Sequence, residues 1–295
     1  MASQTKAETT YFVGNSTTIT KSHAMRTAAN SIAYLLPHLD RLAASNPAFN
    51  FLDVGCGPGS ITLDLARRHP AATFVGIDGS AQVIAQAVAA KHAAGHPGSC
   101  RFEVGDVMRL AEQGFVGFDV VHVHQVLQHV PDAAGAMVSL RGAAKVEGGV
   151  VAVREFDWGM IGWYPESPGL DLWRDLWLRV ARKNGNDPFT ARKLKALAMK
   201  AGWSEIEVES GADGLWTFDT AEKRGAVAPP MIGRYAEDGT FAGQMRDMGM
   251  HNVEADLKAV REGWEQWAKA SDGWMAQTCV HIVCTSKKAE QLSTS

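Results

Sequence analysis

Three carboxylates close three apolar runs in the first half of the 295-residue chain: Asp53 in "FLDVG", Asp78 in "FVGIDG" and Asp106 in "FEVGDV". Behind the first lie Gly55, Gly57 and Gly59, in "DVGCGPGS". Glycines at such a junction let a ligand come close to the backbone. Two phosphate chemistries fail on spacing. A nucleotide-triphosphate loop needs a Lys after its last glycine, and no Lys or Arg lies between Phe51 and Ala66. A dinucleotide loop needs Gly-x-Gly-x-x-Gly, but its third position is Ser60 and the third glycine comes one residue early, at Gly59. Asp53 would also repel a pyrophosphate and attract an ammonium or sulfonium. Asp78, followed by Gly79, suits a bidentate acceptor for ribose hydroxyls, or simply a turn. Asp106 beside the apolar Val107 suits an adenine ring with its exocyclic amine. A ligand with an amino group, a sulfonium and an adenosine but no phosphate fits all of these: S-adenosylmethionine.

Further candidates lie downstream. His122 and His124 share a strand face at i, i+2, and His129 follows. A zinc site would want further ligands at matching geometry, and none is evident, so no metal is expected. His129 reads as a hydrogen-bonded structural residue. His124, with Gln125 beside it, ends the run "FDVVHVH" and is the candidate for catalysis. Proton transfer and mere lining of the cofactor are both open to it. Trp158, Trp163 and Tyr164, in "FDWGMIGWYPESPGL", could line an apolar acceptor pocket or pack a lid. The carboxylate of S-adenosylmethionine finds no partner among acidic strand ends, so Arg26 or Tyr11 would have to reach it.

The elements that must position these residues alternate. Short β-rich runs ("FNFLDV", "TFVGID", "RFEV", "FDVVHVH", "GVVAVREF") are separated by helical patterns over 61–69, 81–94, 107–113 and 133–145. Asp132 after Pro131 is placed to cap the last of these. Such alternation predicts a parallel sheet with helices on both faces, and ligands bind beyond the carboxyl ends of its strands. Upstream, Met25, Ala29, Ile32 and Leu36 share one face of a helix predicted over 20–39, with Pro37 near its end. All nine tryptophans fall after residue 157. There, helical patterns over 169–183, 190–201 and 253–270 surround two late strands, "SEIEVES" and "TCVHIVCTS". The long insertion between those strands reads as a lid.

Bulk properties narrow the partners. Lys+Arg number 29 against 32 Asp+Glu, with no basic block, so neither nucleic acid nor an anionic membrane is expected. The four cysteines (Cys56, Cys100, Cys279, Cys284) show neither metal nor disulfide spacing, which suits a reducing cytoplasm. The first residues carry no apolar run, and no stretch is long enough to span a membrane.

The series "LDVGCGPG", "VGIDGS", "FEVGDV" and "FDVVHVHQVLQHVPD", in that order, resembles the motifs of class I S-adenosylmethionine-dependent methyltransferases. Its nearest flavour is the small-molecule group of the ubiquinone/menaquinone-biosynthesis type. The resemblance is strong over 49–155, and "RTAANSIAYLLPHL" looks like the N-terminal helix of some members. It implies an α/β fold: a doubly wound, seven-stranded, mostly parallel sheet with the last strand antiparallel. Residues 1–48 and the late insertions would form a helical cap. The cofactor core would be 49–155, the acceptor cap and final strands 156–286, and a frayed tail 287–295. Gly55, Gly57 and Gly59 would contact the methionine moiety and Asp78 the ribose. Asp106 and Val107 would contact the adenine. The Val123 backbone and the His124 side chain would approach the amino-acid end or the methyl group. The activity implied is methyl transfer to a small, largely apolar or aromatic molecule, by a monomer or homodimer. The motif "HQVLQHVPD" stands where nucleic-acid amino-methylating relatives carry Asn/Asp-Pro-Pro-aromatic. Two other classes stand as alternatives: an S-adenosylmethionine-binding protein that does not methylate, which the intact loop leaves open, and an NAD-dependent oxidoreductase, favoured only if the loop held pyrophosphate.

Overall fold

The computed structural model describes residues 26–95 and 97–286, leaving aside the side chains of Leu215 and Trp216. Tyr11, Met25 and the tail 287–295 lie outside the described residues. The chain begins with α1 (Ala28–Ser31) and α2 (Leu36–Ser45), then alternates β1 (Asn50–Val54), α3 (Ser60–Arg68), β2 (Thr73–Asp78), α4 (Ala81–Ala93) and β3 (Ser99–Val104). It continues through β4 (Val120–His124), α5 (Ala133–Ala143) and β5 (Val150–Tyr164), then α6 (Pro168–Lys183), α7 (Leu194–Lys200) and β6 (Val208–Thr217). Three cap helices, α8 (Ala221–Arg234), α9 (Thr240–Asp247) and α10 (Val253–Lys269), precede β7 (Trp274–Thr285).

The sheet has seven strands in the order β3-β2-β1-β4-β5-β7-β6. All neighbours from β3 to β5 are parallel, and β7 runs antiparallel to both β5 and β6. Phe51, Leu52, Asp53 and Val54 are all buried, as befits a strand covered on both faces. The chain steps from β1 outward to β3, then returns to β4 on the other side. That reversal between β1 and β4 is the switch point where open α/β sheets bind ligands.

Two cores flank the sheet. On one face Phe51, Phe74, Val120 and Ala152 meet Ile32, Leu35, Leu39 and Leu65. On the other, Leu52, Val75, Val121 and Val153 meet Met137, Leu140, Leu194 and Trp203. The tryptophan-rich second half builds a third core, in which Trp158, Trp173, Trp177, Trp264 and Trp267 pack with Leu170, Phe241 and Leu257. There α6 and α10 touch at Gly169 and Gly263: a Cβ on Gly263 would lie 2.8 Å from the Gly169 Cα.

Four expectations need correction. The segment predicted as one helix over 20–39 breaks between α1 and α2. Pro37 sits in the first turn of α2, not at a helix end. A proline is welcome there, but its ring clashes with the carbonyl four residues back and stops a helix from running through Ala33. The helix over 107–113 shrinks to a single 3-10 turn, Val107–Arg109, whose Met108 N–H is taken by the Asp106 carboxylate at 2.9 Å. The fifth strand continues past Phe156, through a register shift, to Tyr164, paired along β7. Trp158, Trp163 and Tyr164 are therefore strand residues and not a loop. Finally, the strand in "SEIEVES" starts at Val208, because Ser204 and Glu207 form a capping box on a turn over 205–207. Asp132 does cap α5, accepting from the Gly135 N–H at 2.8 Å.

Candidate functional site

The glycine loop is folded by β2. The N–H groups of Gly55 and Cys56 both donate to the Ile77 carbonyl, at 2.7 and 2.9 Å. Gly57 N–H donates to Asp78 Oδ2 at 3.2 Å, and Ser80 N–H to Asp78 Oδ1 at 3.0 Å. Gly57 has φ +56°, a conformation costly for residues with a Cβ. A Cβ at Gly55 would strike Val126, and one at Gly59 would strike Phe102. At Gly57 it would meet nothing within 4 Å. Gly55 and Gly59 are thus needed for packing, and Gly57 alone presents its backbone to open space. Gly79 is exposed, next to that opening.

Burial raises the Asp78 carboxyl above the usual carboxylate range, while its two backbone hydrogen bonds pull the other way. Each oxygen keeps a lone pair for a further donor. Asp53 faces inward: Thr62 Oγ1 donates to its Oδ2 at 2.6 Å and His122 Nδ1 lies 2.8 Å from its Oδ1. The pair is buried, so the imidazole and the carboxyl hold each other in place. Asp53 therefore braces the loop from below, with both oxygens in use. Asp106 caps the turn over 107–109, with Arg109 Nε at 3.3 Å from its Oδ2, and Val107 packs half-buried beside it.

At the end of β4, Val123 and His124 are buried. Gln125 is the one non-glycine residue with positive φ, +58°, among the described residues. Such a conformation costs on the order of 1–3 kcal/mol and persists where surrounding contacts enforce it. Here five contacts do so. Gln125 N–H donates to the Arg154 carbonyl at 2.8 Å. Arg26 Nη2 donates to Gln125 Oε1 at 2.6 Å, and Gln125 Nε2 reaches Cys279 Sγ at 3.9 Å. Glu155, fully buried, accepts the next two N–H groups, from Val126 and Leu127, each at 2.7 Å through Oε1. Burial pushes the Glu155 carboxyl up to about 7 against these hydrogen bonds.

The structure thus brings Gly57 together with Asp78, Asp53 with His122, and Arg26 with Gln125. It separates the aromatic candidates. Trp158 lies inside the cap core, stacked on Trp177 at 3.5 Å, its indole N–H donating to Gln128 Oε1 at 3.2 Å. Trp163 is half-buried in a surface groove with Glu166, Asp171 and Arg174, whose guanidinium lies 5.0 Å from its ring centroid. Tyr164 is 55% exposed. No group of three or more His, Cys, Asp or Glu among the described residues could hold a metal ion. No helix among them is long and apolar enough to cross a membrane. Sequence reasoning missed Arg154 and Glu155. The signal was there: two adjacent charges in the otherwise apolar strand "GVVAVREF" must be buried and engaged.

Residues 45–170 match the protein family described as "Methyltransferase domain". Over nearly its whole length the chain is similar to an uncharacterized methyltransferase of Schizosaccharomyces pombe: 28% identical over 278 residues, 92% of this chain and 95% of that one. It is 34% identical over 116 residues to the trans-aconitate 2-methyltransferase of Deinococcus radiodurans, covering 39% of this chain and 41% of that protein. The fold is similar to that of the YcgJ protein from Bacillus subtilis, with TM-score 0.53, 13% identity, and coverage of 87% and 100% of the two chains. Sheet order, switch-point loop and sequence match agree: the chain has a Rossmann-like α/β fold with a mostly parallel seven-stranded sheet, and residues 45–170 are similar to the methyltransferase domain.

Proposed function

We propose that this protein transfers the methyl group of S-adenosylmethionine to a small, largely apolar or aromatic molecule, as enzymes of the ubiquinone/menaquinone-biosynthesis type do. One observation carries the reading: at the switch point, the Gly57 backbone faces open space with the Asp78 carboxylate at its side. A ligand with hydroxyls for Asp78 and no phosphate for the loop fits that cradle. When bound, S-adenosylmethionine supplies a methyl group already activated on a sulfonium. The chain's own task is then to hold both molecules in line and keep water out.

The residues divide that task. Gly55, Gly57 and Gly59 shape the cradle for the methionine end, and Asp78 with Gly79 takes the ribose. Asp106 and Val107 border the adenine. The Val123 backbone, His124 and Gln125 face the amino-acid end and the reacting side, where Arg26 is already anchored. Asp53 acts through the loop it braces. Trp163 and Tyr164, at the far end of β5, are read as acceptor contacts, with Trp158 packed in the cap core behind them. The relatives named for trans-aconitate act on a small molecule, which supports the same choice here. Residues 49–155 would then serve the cofactor, and the N-terminal and late helices the acceptor.

Turnover tests this. The protein is incubated with S-adenosylmethionine and a small-molecule library, and S-adenosylhomocysteine release is followed by mass spectrometry. Acceptor-dependent release is expected. Cofactor binding without release for any acceptor would instead mark a binding protein.

A further inference from the structure

Arg154 is 1% exposed, yet it carries a full charge. β5 sets it in register between His124 of β4 and His281 of β7. Its Nε and Nη2 both donate to Asp213 Oδ1, at 3.2 and 2.6 Å. Those two nitrogens form one edge of the guanidinium, so Nη1 lies away from Asp213. It is buried and has no hydrogen-bond partner among the described residues. Two neighbours are in the same condition: the Tyr34 hydroxyl and His281 Nδ1. The Tyr34 and His281 rings stack with centroids 4.2 Å apart. His281 Nδ1 stands 4.0 Å from Asp213 Oδ2, which ties it to the same ion pair. The corner adjoins the reacting side, because Asp213 pairs in register with Cys279, the residue that Gln125 Nε2 reaches.

A buried donor left without a partner loses its hydration and gains nothing, so native proteins rarely keep one, let alone three together. Packing alone does not require these polar atoms, since a phenylalanine fills the space of Tyr34 apart from its oxygen. The three groups share a sign. Arg154 Nη1 can only donate, the Tyr34 hydroxyl can donate, and a histidine nitrogen can do so as well. A guest for this corner must accept hydrogen bonds, and a guanidinium favours one that is charged. Asp213 covers only the opposite edge of that guanidinium.

We propose that Arg154, Tyr34 and His281 form the acceptor-recognition corner of the site and take an anionic oxygen: a carboxylate or an acidic phenolic oxygen of the methyl acceptor. The proposal rests on the reading of this site as one for methyl transfer. It adds a requirement that the reading lacks. The acceptor carries one acidic oxygen on an otherwise apolar body, and this corner selects it over neutral analogues.

Calorimetry on the full chain saturated with S-adenosylhomocysteine tests it. The probes are benzoate and 4-nitrophenolate, with methyl benzoate and 4-nitroanisole as neutral counterparts. The two anions tell a carboxylate from a phenolate. At least one anion should bind, about ten-fold or more tighter than its neutral counterpart. Tyr34→Phe, which keeps the ring, should weaken that anion by about three- to ten-fold. The double variant Arg154→Gln/Asp213→Asn, which leaves no lone buried charge, should abolish its binding. Both variants should hold S-adenosylhomocysteine as the wild type does. The proposal is overturned if the wild type binds S-adenosylhomocysteine but neither anion, if a neutral probe binds as tightly, or if both variants bind the anion unchanged. A wild type that fails to bind S-adenosylhomocysteine at all removes the parent reading and this corner with it.

Discussion

Replacing Glu155 with glutamine should change how stability responds to pH while leaving the fold intact. The carboxyl lies wholly inside the protein, under the turn that follows β4, and its Oε1 accepts the Val126 and Leu127 N–H groups. A glutamine carbonyl accepts the same two bonds. Burial is the largest influence on the acid and moves it from 4.5 to about 7. A carboxyl with those two values binds its proton about 3 kcal/mol more tightly in the folded chain than in the unfolded one. Between pH 4.5 and 7 the folded state therefore holds more protons. Stability falls as pH rises through that window and levels off above it. Glutamine has no proton to lose. The difference in unfolding free energy, variant minus wild type, should grow by about 3 kcal/mol from pH 4.5 to pH 8. Urea unfolding of both proteins across that range measures it, and subtraction cancels the carboxylates common to both. A difference that stays flat, or that shrinks with rising pH, would refute the reasoning that burial outweighs the two hydrogen bonds.

Gly57→Val should remove cofactor binding in calorimetry, because its side chain enters the open space above the loop, at a stability cost of about 1–2 kcal/mol for a left-handed non-glycine residue. Retained binding would mean the ligand does not approach there. Trp158→Ala should cost about 3–5 kcal/mol in unfolding experiments, since the ring is stacked inside the cap core. Trp163→Ala, in a half-buried groove, should lower methyl transfer far more than cofactor binding, and a fall in both together with the melting temperature would make it plain cap packing. Gly263→Val should destabilise the cap by about 1–3 kcal/mol, because its side chain would meet the Gly169 backbone. Cofactor affinity should be untouched, and a parallel loss of affinity would show that the cap and the cofactor site are coupled.

Much of the fold was legible because its signals are local. Apolar runs closed by Asp53, Asp78 and Asp106 mark strand ends, and the glycine turn marks the first strand-to-helix junction. The parallel order followed from the alternation. What escaped notice depends on contacts between distant segments. Pro37 looks like a helix end until one sees that the helix starts there. The strand through Trp158 to Tyr164 exists because β7 pairs with it across the whole cap, and nothing in "FDWGMIGWY" announces that partner. The role of Asp53 was read from its position before the turn, but its partners Thr62 and His122 come from other elements. The left-handed backbone of Gln125 depends on Arg154, Glu155 and Arg26 together, so no pattern around residue 125 could have shown it.

The central claim is that the cradle between Gly57 and Asp78 binds S-adenosylmethionine through its ribose. Calorimetric titration of S-adenosylhomocysteine into the wild type and into folded Asp78→Ala tests it most directly. Binding at one site per chain is expected for the wild type. Loss of the charged acceptor should cost the variant about 1.5–3 kcal/mol, or roughly ten- to 150-fold in Kd. A wild type that does not bind, or a variant that binds with unchanged Kd, would contradict the claim.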